Sequence, residues 1–285
     1  MEETPAVRPL REERLTDPEG VLVRPHRSGG TGVLVLGGSS GAVETDRSRL
    51  LARHGATALS IRWFGGPGQQ PGPWEVPLET FTRALDRLAA EHDRLAVVGT
   101  SFGAEAALLV ASGDVRVDAV VAIAPSSVVW AGVTPEGRQT SHWTWRGRPV
   151  PFVPLDEDWR PDSDPPSFRG CYEASLRSSR RSDPDAAARA AIPVERIRGT
   201  VVLVAGGDDQ VWPGAEFVRQ VVERRAEHGQ VTTTVTVADA GHRPVLPGEQ
   251  PLQRGMTMAR GGTEAADRRL GELAWPHVVA ALGLR

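Results

Sequence analysis

The stretch "LAVVGTSFGAEAALLVAS" at residues 95–112 decides the fold of this 285-residue chain. Four apolar residues typical of a buried strand precede the pentapeptide G-x-S-x-G, and a run of strong helix formers begins directly after it. Glycine is needed at Gly99 and Gly103 because a Cβ at either position would collide with the crossing strand or helix. The stretch therefore predicts a strained strand-to-helix turn that presents Ser101 as a nucleophile.

The same pattern occurs a second time, as "GGSSG" at residues 37–41. This copy also follows an apolar run, but several residues separate it from the next helical pattern. It lies upstream, in the loop that supplies one backbone N–H to an oxyanion hole when the residue after the nucleophile supplies the other. We therefore predict Ser101 as the nucleophile. The predicted oxyanion-hole donors are the backbone N–H groups of Phe102 and of Ser39 or Ser40.

Short apolar runs bounded by Gly or Pro alternate with segments of helical period along most of the chain. The runs lie at residues 33–36, 56–61, 95–98, 119–124, 201–205 and 231–237. This repetition predicts an α/β fold with a doubly wound, mostly parallel sheet. Residues 1–30 predict two antiparallel edge strands around a turn at 17–20. A Trp- and Pro-rich stretch at about 126–193 lacks clear periodicity and predicts a lid insertion in a single domain spanning 1–285.

A serine nucleophile needs a base within hydrogen-bond reach and a carboxylate that orients the base. Downstream of Ser101, "VVLVAGGDDQVWPG" ends a predicted strand in a turn with two acids, and "VTVADAGHRP" ends another with a histidine. The carboxyl ends of parallel strands meet at one edge of a sheet, so His242 is the predicted base. Asp209 is the predicted acid. Asp208 stays open as the alternative, because neighbouring side chains on extended backbone point apart and only one can face the histidine.

The composition excludes several classes of function. A formal net charge of -3 provides no basic field for nucleic acid, so no nucleic-acid partner is expected. No apolar stretch reaches the roughly 20 residues that span a bilayer, and the acidic start is unlike a signal peptide, so we expect a cytoplasmic protein with no membrane partner. Cys171 is the only cysteine, which excludes an internal disulfide and a cysteine-based zinc site. We expect no metal and no cofactor.

With these residues in place, the sequence resembles the C-terminal catalytic domain of the acyl-CoA thioesterase / bile acid-CoA:amino acid N-acyltransferase family, within the dienelactone-hydrolase-like α/β hydrolases. The matching stretches run from about residue 30 to 280, and the most specific is "IPVERIRGTVVLVAGGDDQVWP" at 192–213. The resemblance implies an α/β-hydrolase fold and places the family's nucleophile at Ser101, its acid at Asp209 and its base at His242. Family members with serine as nucleophile tend to be thioesterases, whereas those with cysteine tend to transfer acyl groups to amines.

The residue after the nucleophile departs from the family pattern. It is often basic in the family but is Phe102 here. The change removes a cation that the phosphates of coenzyme A would favour. The thiol portion of the substrate therefore stays open between coenzyme A, an acyl carrier and a simple ester.

The sequence predicts a serine acyl hydrolase that cleaves a small-molecule thioester, of acyl-CoA or acyl-carrier type, or an ester through an acyl-enzyme. Two alternatives stay open: an acyltransferase with an alcohol or amine acceptor, and a non-catalytic binding protein of hydrolase fold. We expect Trp143, Trp145 and Trp212 to line an apolar acyl pocket beneath the insertion. Glu105, one turn past Ser101, is interpreted as a charge that favours a helix N-terminus.

Overall fold

The computed structural model of the chain describes residues 10–250 and 256–285. An eight-stranded sheet forms its centre. The strands are β1 (Arg11–Thr16), β2 (Glu19–Arg24), β3 (Thr31–Leu36), β4 (Thr57–Ile61), β5 (Arg94–Thr100), β6 (Val117–Ile123), β7 (Thr200–Gly206) and β8 (Thr233–Val237). Each of the six apolar runs forms one of these strands, as the sequence predicts. Their spatial order is β1-β2-β4-β3-β5-β6-β7-β8.

The sheet is parallel except at one edge. β2 pairs antiparallel with both β1 and β4, and all other neighbours are parallel. β1 is largely exposed, whereas β3 and β4 are buried along their whole length, which explains their continuous apolar runs. In the part of 1–30 that the structure describes, β1 and β2 form an antiparallel pair from Arg11 onward. The remainder of the stretch in which the sequence predicts edge strands, residues 1–9, lies outside the described residues.

Helices cover both faces of the sheet. One face carries α2 (Glu79–Ala89), α3 (Phe102–Gly113) and α6 (Gly214–Ala226). The other carries α1 (Thr45–Arg53) and α7 (Glu264–Leu282). The apolar stripe of α2 is buried through Phe81 and Leu85, and burying such a side chain stabilises the fold by about 1.5–3 kcal/mol. Within the described ranges, none of the helices has the length and apolar character needed to cross a lipid bilayer.

The segment between β6 and β7, where the sequence predicts a lid insertion, has regular structure. It contains the helices α4 (Arg169–Ser182) and α5 (Pro184–Arg189). It also contains four short strands, Ala131–Val133, Gln139–Ser141, Trp143–Trp145 and Arg148–Pro149. Sequence periodicity missed these elements because the strands are two or three residues long and α4 buries few of its side chains.

Four loops meet at the carboxyl edge of the parallel strands. β3 and β5 lead into the two G-x-S-x-G segments, β7 leads into the turn with two acids, and β8 leads into the histidine loop. Because these strands are neighbours or near neighbours in the sheet, residues more than a hundred positions apart in sequence come together there.

Candidate active site

Ser101 lies at the sharp turn between β5 and α3. Its backbone has φ 57° and ψ -123°, a region that a residue with a side chain rarely adopts. The turn is held because the Ser101 N–H donates a hydrogen bond to the carbonyl of Ile123 at 2.9 Å. A Cβ on Gly99 would overlap the carbonyl oxygen of Gly103, and a Cβ on Gly103 would overlap that of Gly37. Both glycines are therefore required by contact with backbone.

The structure brings the predicted nucleophile, base and acid together. Nε2 of His242 lies 3.0 Å from Oγ of Ser101, and Nδ1 lies 2.7 Å from Oδ2 of Asp209. A carboxylate can only accept hydrogen bonds, so the arrangement fits an imidazole that donates from Nδ1 and accepts the serine hydroxyl at Nε2. The residues are 8%, 5% and 0% exposed, in the order Ser101, His242, Asp209. Exclusion of water strengthens these hydrogen bonds.

Asp209 is oriented by the turn that carries it. Its Oδ1 accepts hydrogen bonds from the backbone N–H groups of Val211 at 2.8 Å and Trp212 at 3.2 Å. This leaves Oδ2 to face His242. Because both oxygens are engaged and the side chain is fully buried, the carboxylate has one orientation.

Asp208, the alternative acid, belongs to a different network. It is exposed, and its two oxygens accept hydrogen bonds from the N–H of Gly262 at 2.8 Å and from the side-chain amide of Gln210 at 2.7 Å. These bonds, that from Gly262 foremost, lower the pKa of the Asp208 carboxyl. The structure thus places Asp209 against His242, and Asp208 connects the turn to the segment before α7.

The histidine loop is supported by two residues that sequence reasoning missed. The N–H of His242 donates to the carbonyl of Arg260 at 2.9 Å, and the N–H of Gly241 donates to Oδ1 of Asp267 at 2.7 Å. Burial raises the pKa of the Asp267 carboxyl, the bond from Gly241 opposes this, and the charge of Asp209 reinforces it. Asp267 lies in the first turn of α7, where an acid is common because it favours the helix dipole. No signal in the sequence therefore distinguishes it.

The segment 37–41 lies beside Ser101. A Cβ on Gly38 would come 3.1 Å from the Cβ of Ser101, so the missing side chain permits this approach. Ser39 and Ser40 form an exposed turn that borders the same cavity as the nucleophile. Phe102 is the first residue of α3, so its N–H is one of the amino-terminal groups without a partner inside the helix. The predicted oxyanion-hole residues thus border one cavity with Ser101.

A buried arginine supports the turn that carries Ser101 and was also missed. Arg47 of α1 is 5% exposed, and its guanidinium donates to Oγ1 of Thr100 at 2.6 Å and forms an ion pair with Glu249. Burial acts to lower the pKa of Arg47, but the charge of Glu249, its hydrogen bond to the arginine and the charge of Glu44 together hold the pKa above its ordinary value. Because Thr100 directly precedes the nucleophile, the arginine connects the turn to α1.

A cavity of about 490 Å³ borders Ser101 and His242, and its lining combines apolar and charged residues. The insertion supplies mainly apolar side chains, from Val133, Leu155 and Phe168, together with Tyr172. The other lining residues include four charged ones, Glu44, Arg47, Arg243 and Arg260. An apolar wall suits a hydrocarbon group, and a charged wall suits a polar one. Among the described residues, no group of three or more His, Cys, Asp and Glu side chains is placed to hold a metal ion.

Two arginines, Arg243 and Arg260, border this cavity. Burial, followed by the charge of Arg260, lowers the pKa of Arg243 to about 10, and the charge of Glu44 opposes this shift. The lowered pKa reflects restricted water and an excess of positive charge. The cavity therefore contains cations although the residue after the nucleophile is Phe102.

The expected tryptophan pocket needs correction. Trp143 is fully buried in the core, and Trp145 is 42% exposed on the surface of the insertion. Trp212 is fully buried and packs edge-on against the ring of His242, with ring centroids 5.7 Å apart. An aromatic residue fits a core as well as a pocket, so composition alone did not separate the two environments. Among the described residues that border the cavity, the aromatic ones are Phe102, Phe168 and Tyr172.

Glu105 is buried and not a charge at an exposed helix end. Its Oε1 accepts hydrogen bonds from Nε1 of Trp143 at 2.7 Å, the N–H of Trp130 at 3.2 Å and Nδ1 of His142 at 3.3 Å. Its Oε2 has no partner among the described residues. The ring of His142 lies 4.1 Å from that of Phe102. The carboxylate therefore joins α3 to the insertion. The sequence signal that could have indicated the burial of Glu105 was a single acid in a helix without a polar face.

Comparison with known families and proteins adds independent information. The family described as "BAAT / Acyl-CoA thioester hydrolase C terminal" matches residues 76–281. Acyl-coenzyme A amino acid N-acyltransferase 2 of Mus musculus is 24% identical over 260 residues, which cover 87% of this chain and 58% of that protein. Acyl-coenzyme A amino acid N-acyltransferase 1 of the same organism is 22% identical over 258 residues, with the same coverage. The chain thus spans about 58% of the length of these relatives.

Solved structures match the chain over almost its whole length. A candidate dienelactone hydrolase from Klebsiella pneumoniae has a TM-score of 0.59 at 13% identity and covers 96% of this chain and 99% of that one. A puromycin-hydrolyzing peptidase from Mycobacterium tuberculosis has a TM-score of 0.56 at 16% identity, over 100% of this chain and 41% of that one. At these identities the likeness concerns the fold alone. It confirms the α/β-hydrolase fold that the sequence predicts.

Proposed function

The chain belongs to the BAAT / acyl-CoA thioester hydrolase C-terminal family, and on this premise we propose that it is a serine acyl hydrolase. The substrate would be an acyl thioester or ester, and Ser101, His242 and Asp209 would carry the reaction. The observation that supports this most directly is the continuous line of hydrogen bonds from the serine Oγ through the imidazole to the carboxylate, at 3.0 and 2.7 Å.

In the first proposed step, Oγ of Ser101 attacks the carbonyl carbon of the substrate while Nε2 of His242 takes the serine proton. Asp209 keeps the other imidazole proton on Nδ1 and stabilises the imidazolium that forms. The oxygen of the tetrahedral intermediate would accept hydrogen bonds from the N–H of Phe102 and from the segment 37–41. The leaving thiol or alcohol then takes the proton from His242, and the acyl group remains on the serine.

In the second proposed step, water attacks the acyl-enzyme. His242 takes a proton from the water and returns it to Oγ of Ser101 as the free acid leaves, so the same three groups serve both halves of the reaction. Serine as nucleophile favours this hydrolytic outcome, because the family members that transfer to amines tend to use cysteine. The acyl group would lie against the apolar wall of the insertion, which would act as the lid.

A second candidate function is transfer of the acyl group to an amino acid or another amine. Two observations favour it. The curated relatives are named as amino acid N-acyltransferases, and Ser101 and His242 are 8% and 5% exposed, which limits the access of water to an acyl-enzyme. The acyl-enzyme step is the same in both reactions, and only the acceptor differs.

The decisive experiment identifies the products. Wild-type protein and Ser101→Ala are incubated with acyl thioesters of coenzyme A, acyl thioesters of a short thiol, and acyl esters, each with and without glycine or taurine. We expect free acid as the product under all conditions with wild type, no product with Ser101→Ala, and an acyl group on Ser101 by mass spectrometry after rapid acid quenching.

Two outcomes would change the assignment. An N-acyl amino acid that forms at the expense of free acid would assign the protein as an acyltransferase. If wild type cleaves no member of the panel and a fluorophosphonate probe fails to label Ser101 in folded protein, the hydrolase proposal is wrong and the cavity only binds its ligand. The comparison of coenzyme A with the short thiol also tests whether Arg243 and Arg260 contribute to recognition of the leaving group.

A further inference from the structure

Tyr172, the only tyrosine of the chain, borders the cavity that contains Ser101 and His242. It lies in α4 of the insertion. Its ring is held edge-on by Trp130, with ring centroids 4.7 Å apart, and by Trp212, at 5.5 Å. Trp212 packs in turn against the imidazole of His242. The phenol therefore has a defined position relative to the proposed catalytic base.

The hydroxyl of Tyr172 is available to a ligand. No hydrogen bond to another described residue is found for it, and it is not among the described side-chain atoms that are buried without a partner. The neighbouring wall of the cavity is apolar, formed by Val133, Leu155 and Phe168. A hydroxyl in such a wall usually finds a hydrogen-bond partner, because leaving it without one costs free energy. The structure thus presents one polar group within the surface assigned to the acyl group.

The Tyr172 hydroxyl is suited to donate a hydrogen bond. Burial raises its pKa, and the nearby Glu105, Cys171 and Asp209 add to this effect in that order. A tyrosine hydroxyl already has an ordinary pKa near 10, so this one keeps its proton at any pH near neutral. It can therefore donate to an oxygen of a bound molecule.

We propose that Tyr172 determines specificity by donating a hydrogen bond to an oxygen carried on the acyl group. The favoured substrates are then hydroxyacyl or oxoacyl thioesters or esters, and plain saturated acyl chains are poorer. This inference rests on the proposed function of the cavity as the acyl site. A plain chain covers the hydroxyl without giving it a partner, which lowers kcat/KM by roughly ten-fold relative to an oxygenated chain of the same length.

The test measures every member of a substrate series on two forms of the protein. kcat/KM is measured for acyl thioesters of one chain length, either unsubstituted or with one hydroxyl or oxo group at each successive carbon, on wild type and Tyr172→Phe. At one position of the series we expect about a ten-fold preference over the plain chain in wild type, and a ratio near one in Tyr172→Phe. Phenylalanine keeps the ring contacts with Trp130 and Trp212, so the variant keeps the shape of the wall.

Phe168→Leu is the matched control, because it changes the same wall without removing a hydrogen-bonding group. It should change kcat/KM for plain and oxygenated chains by similar factors and leave their ratio intact. Two results overturn the inference. One is a ratio that survives at every position in Tyr172→Phe, and the other is an equal loss for plain and oxygenated chains, which would show a packing role only.

Binding of the free acids separates this inference from the proposed hydrolysis. Calorimetry with the plain, hydroxy and oxo acids needs no chemical step. If no thioester is cleaved, yet one oxygenated acid binds wild type about ten-fold tighter than the plain acid and loses this advantage in Tyr172→Phe, the inference stands and the hydrolysis proposal fails. Equal affinity for all the acids, or no measurable binding of any, overturns the inference.

Discussion

The segments 37–41 and 99–103 share the pattern G-x-S-x-G and both follow a strand of the central sheet, yet their backbones differ. In 99–103 the serine itself has a positive φ, and α3 begins at the next residue. In 37–41 the positive φ falls on Gly41, Ser39 is exposed, and several residues intervene before α1. One serine is therefore held in a strained turn at a helix start, whereas the other lies in an open loop.

The difference comes from what each segment contacts. Gly103 packs on the carbonyl groups of Leu36 and Gly37, and Gly38 packs on Ser101, so the two glycine-rich segments lie against each other. The pattern alone does not identify a nucleophile, because both segments satisfy it. The helix that begins at once, and the backbone that crowds the glycines, distinguish the two.

The largest effect should come from replacing Ser101 with alanine, and the same change at Ser39 is the matched control. Ser101→Ala should lower kcat for hydrolysis of a chromogenic ester by about 10⁴-fold or more, because nucleophile, base and acid act as a unit. Ser39→Ala keeps its backbone N–H and should change kcat by less than about three-fold. Labelling by a fluorophosphonate should disappear in the first variant and persist in the second. Activity that survives in Ser101→Ala but not in Ser39→Ala would show that Ser39 is the nucleophile.

Asp208 and Asp209 are a second pair of similar residues that sequence alone does not separate. Asp209→Asn should lower kcat by roughly 10³–10⁴-fold, because the amide no longer enforces the tautomer of His242. Asp208→Asn, on an exposed side chain that contacts Gly262 and Gln210, should lower kcat by no more than about three-fold. Both are measured as kcat, with the urea midpoint as the check on folding. Similar losses of kcat in Asp209→Asn and Asp208→Asn would show that Asp209 is not the specific partner of His242.

Much of the fold, and the meeting of Ser101, Asp209 and His242, could be predicted because the sequence signals for them are local or topological. Each apolar run is long enough to show a buried strand, and strong helix formers follow the nucleophile directly. Parallel strands end at one edge of a sheet, so Ser101, Asp209 and His242 could be expected together despite their separation in sequence. The two copies of the pattern could be distinguished because a strained elbow requires an immediate helix, and only 99–103 has one.

Contacts that depend on packing could not be predicted. Trp143 and Trp145 are two residues apart in one short strand, yet the first is fully buried and the second is 42% exposed. Glu105 and Asp267 each look like an acid near a helix start, and their importance lies in partners remote in sequence. Tyr172 of α4 borders the cavity together with residues from distant strand ends, and no local pattern encodes this meeting.

A smaller effect should follow from crowding the nucleophile turn. A Cβ on Gly103 would overlap the carbonyl oxygens of Leu36 and Gly37, so Gly103→Ala should shift the turn and lower kcat by roughly 10²-fold. The strain should cost about 1–3 kcal/mol in the free energy of unfolding. Gly113→Ala, at the end of the same helix and with no atom within 4 Å of the added Cβ, should keep both activity and stability. Equal activity of the two variants would show that crowding does not shape the turn.

The smallest effect should come from the segment 37–41 itself. A Cβ on Gly38 would lie 3.1 Å from the Cβ of Ser101 and 3.2 Å from the carbonyl oxygen of Thr100, close enough to displace the loop slightly. Because the loop would supply one oxyanion donor, Gly38→Ala should lower kcat about ten-fold while KM and the urea midpoint change little. Ser40→Ala, which removes only an exposed side chain, is the matched control and should retain kcat. An unchanged kcat in Gly38→Ala would show that this segment supplies no donor to the oxyanion hole. The contact between the two glycine-rich segments would then be structural only.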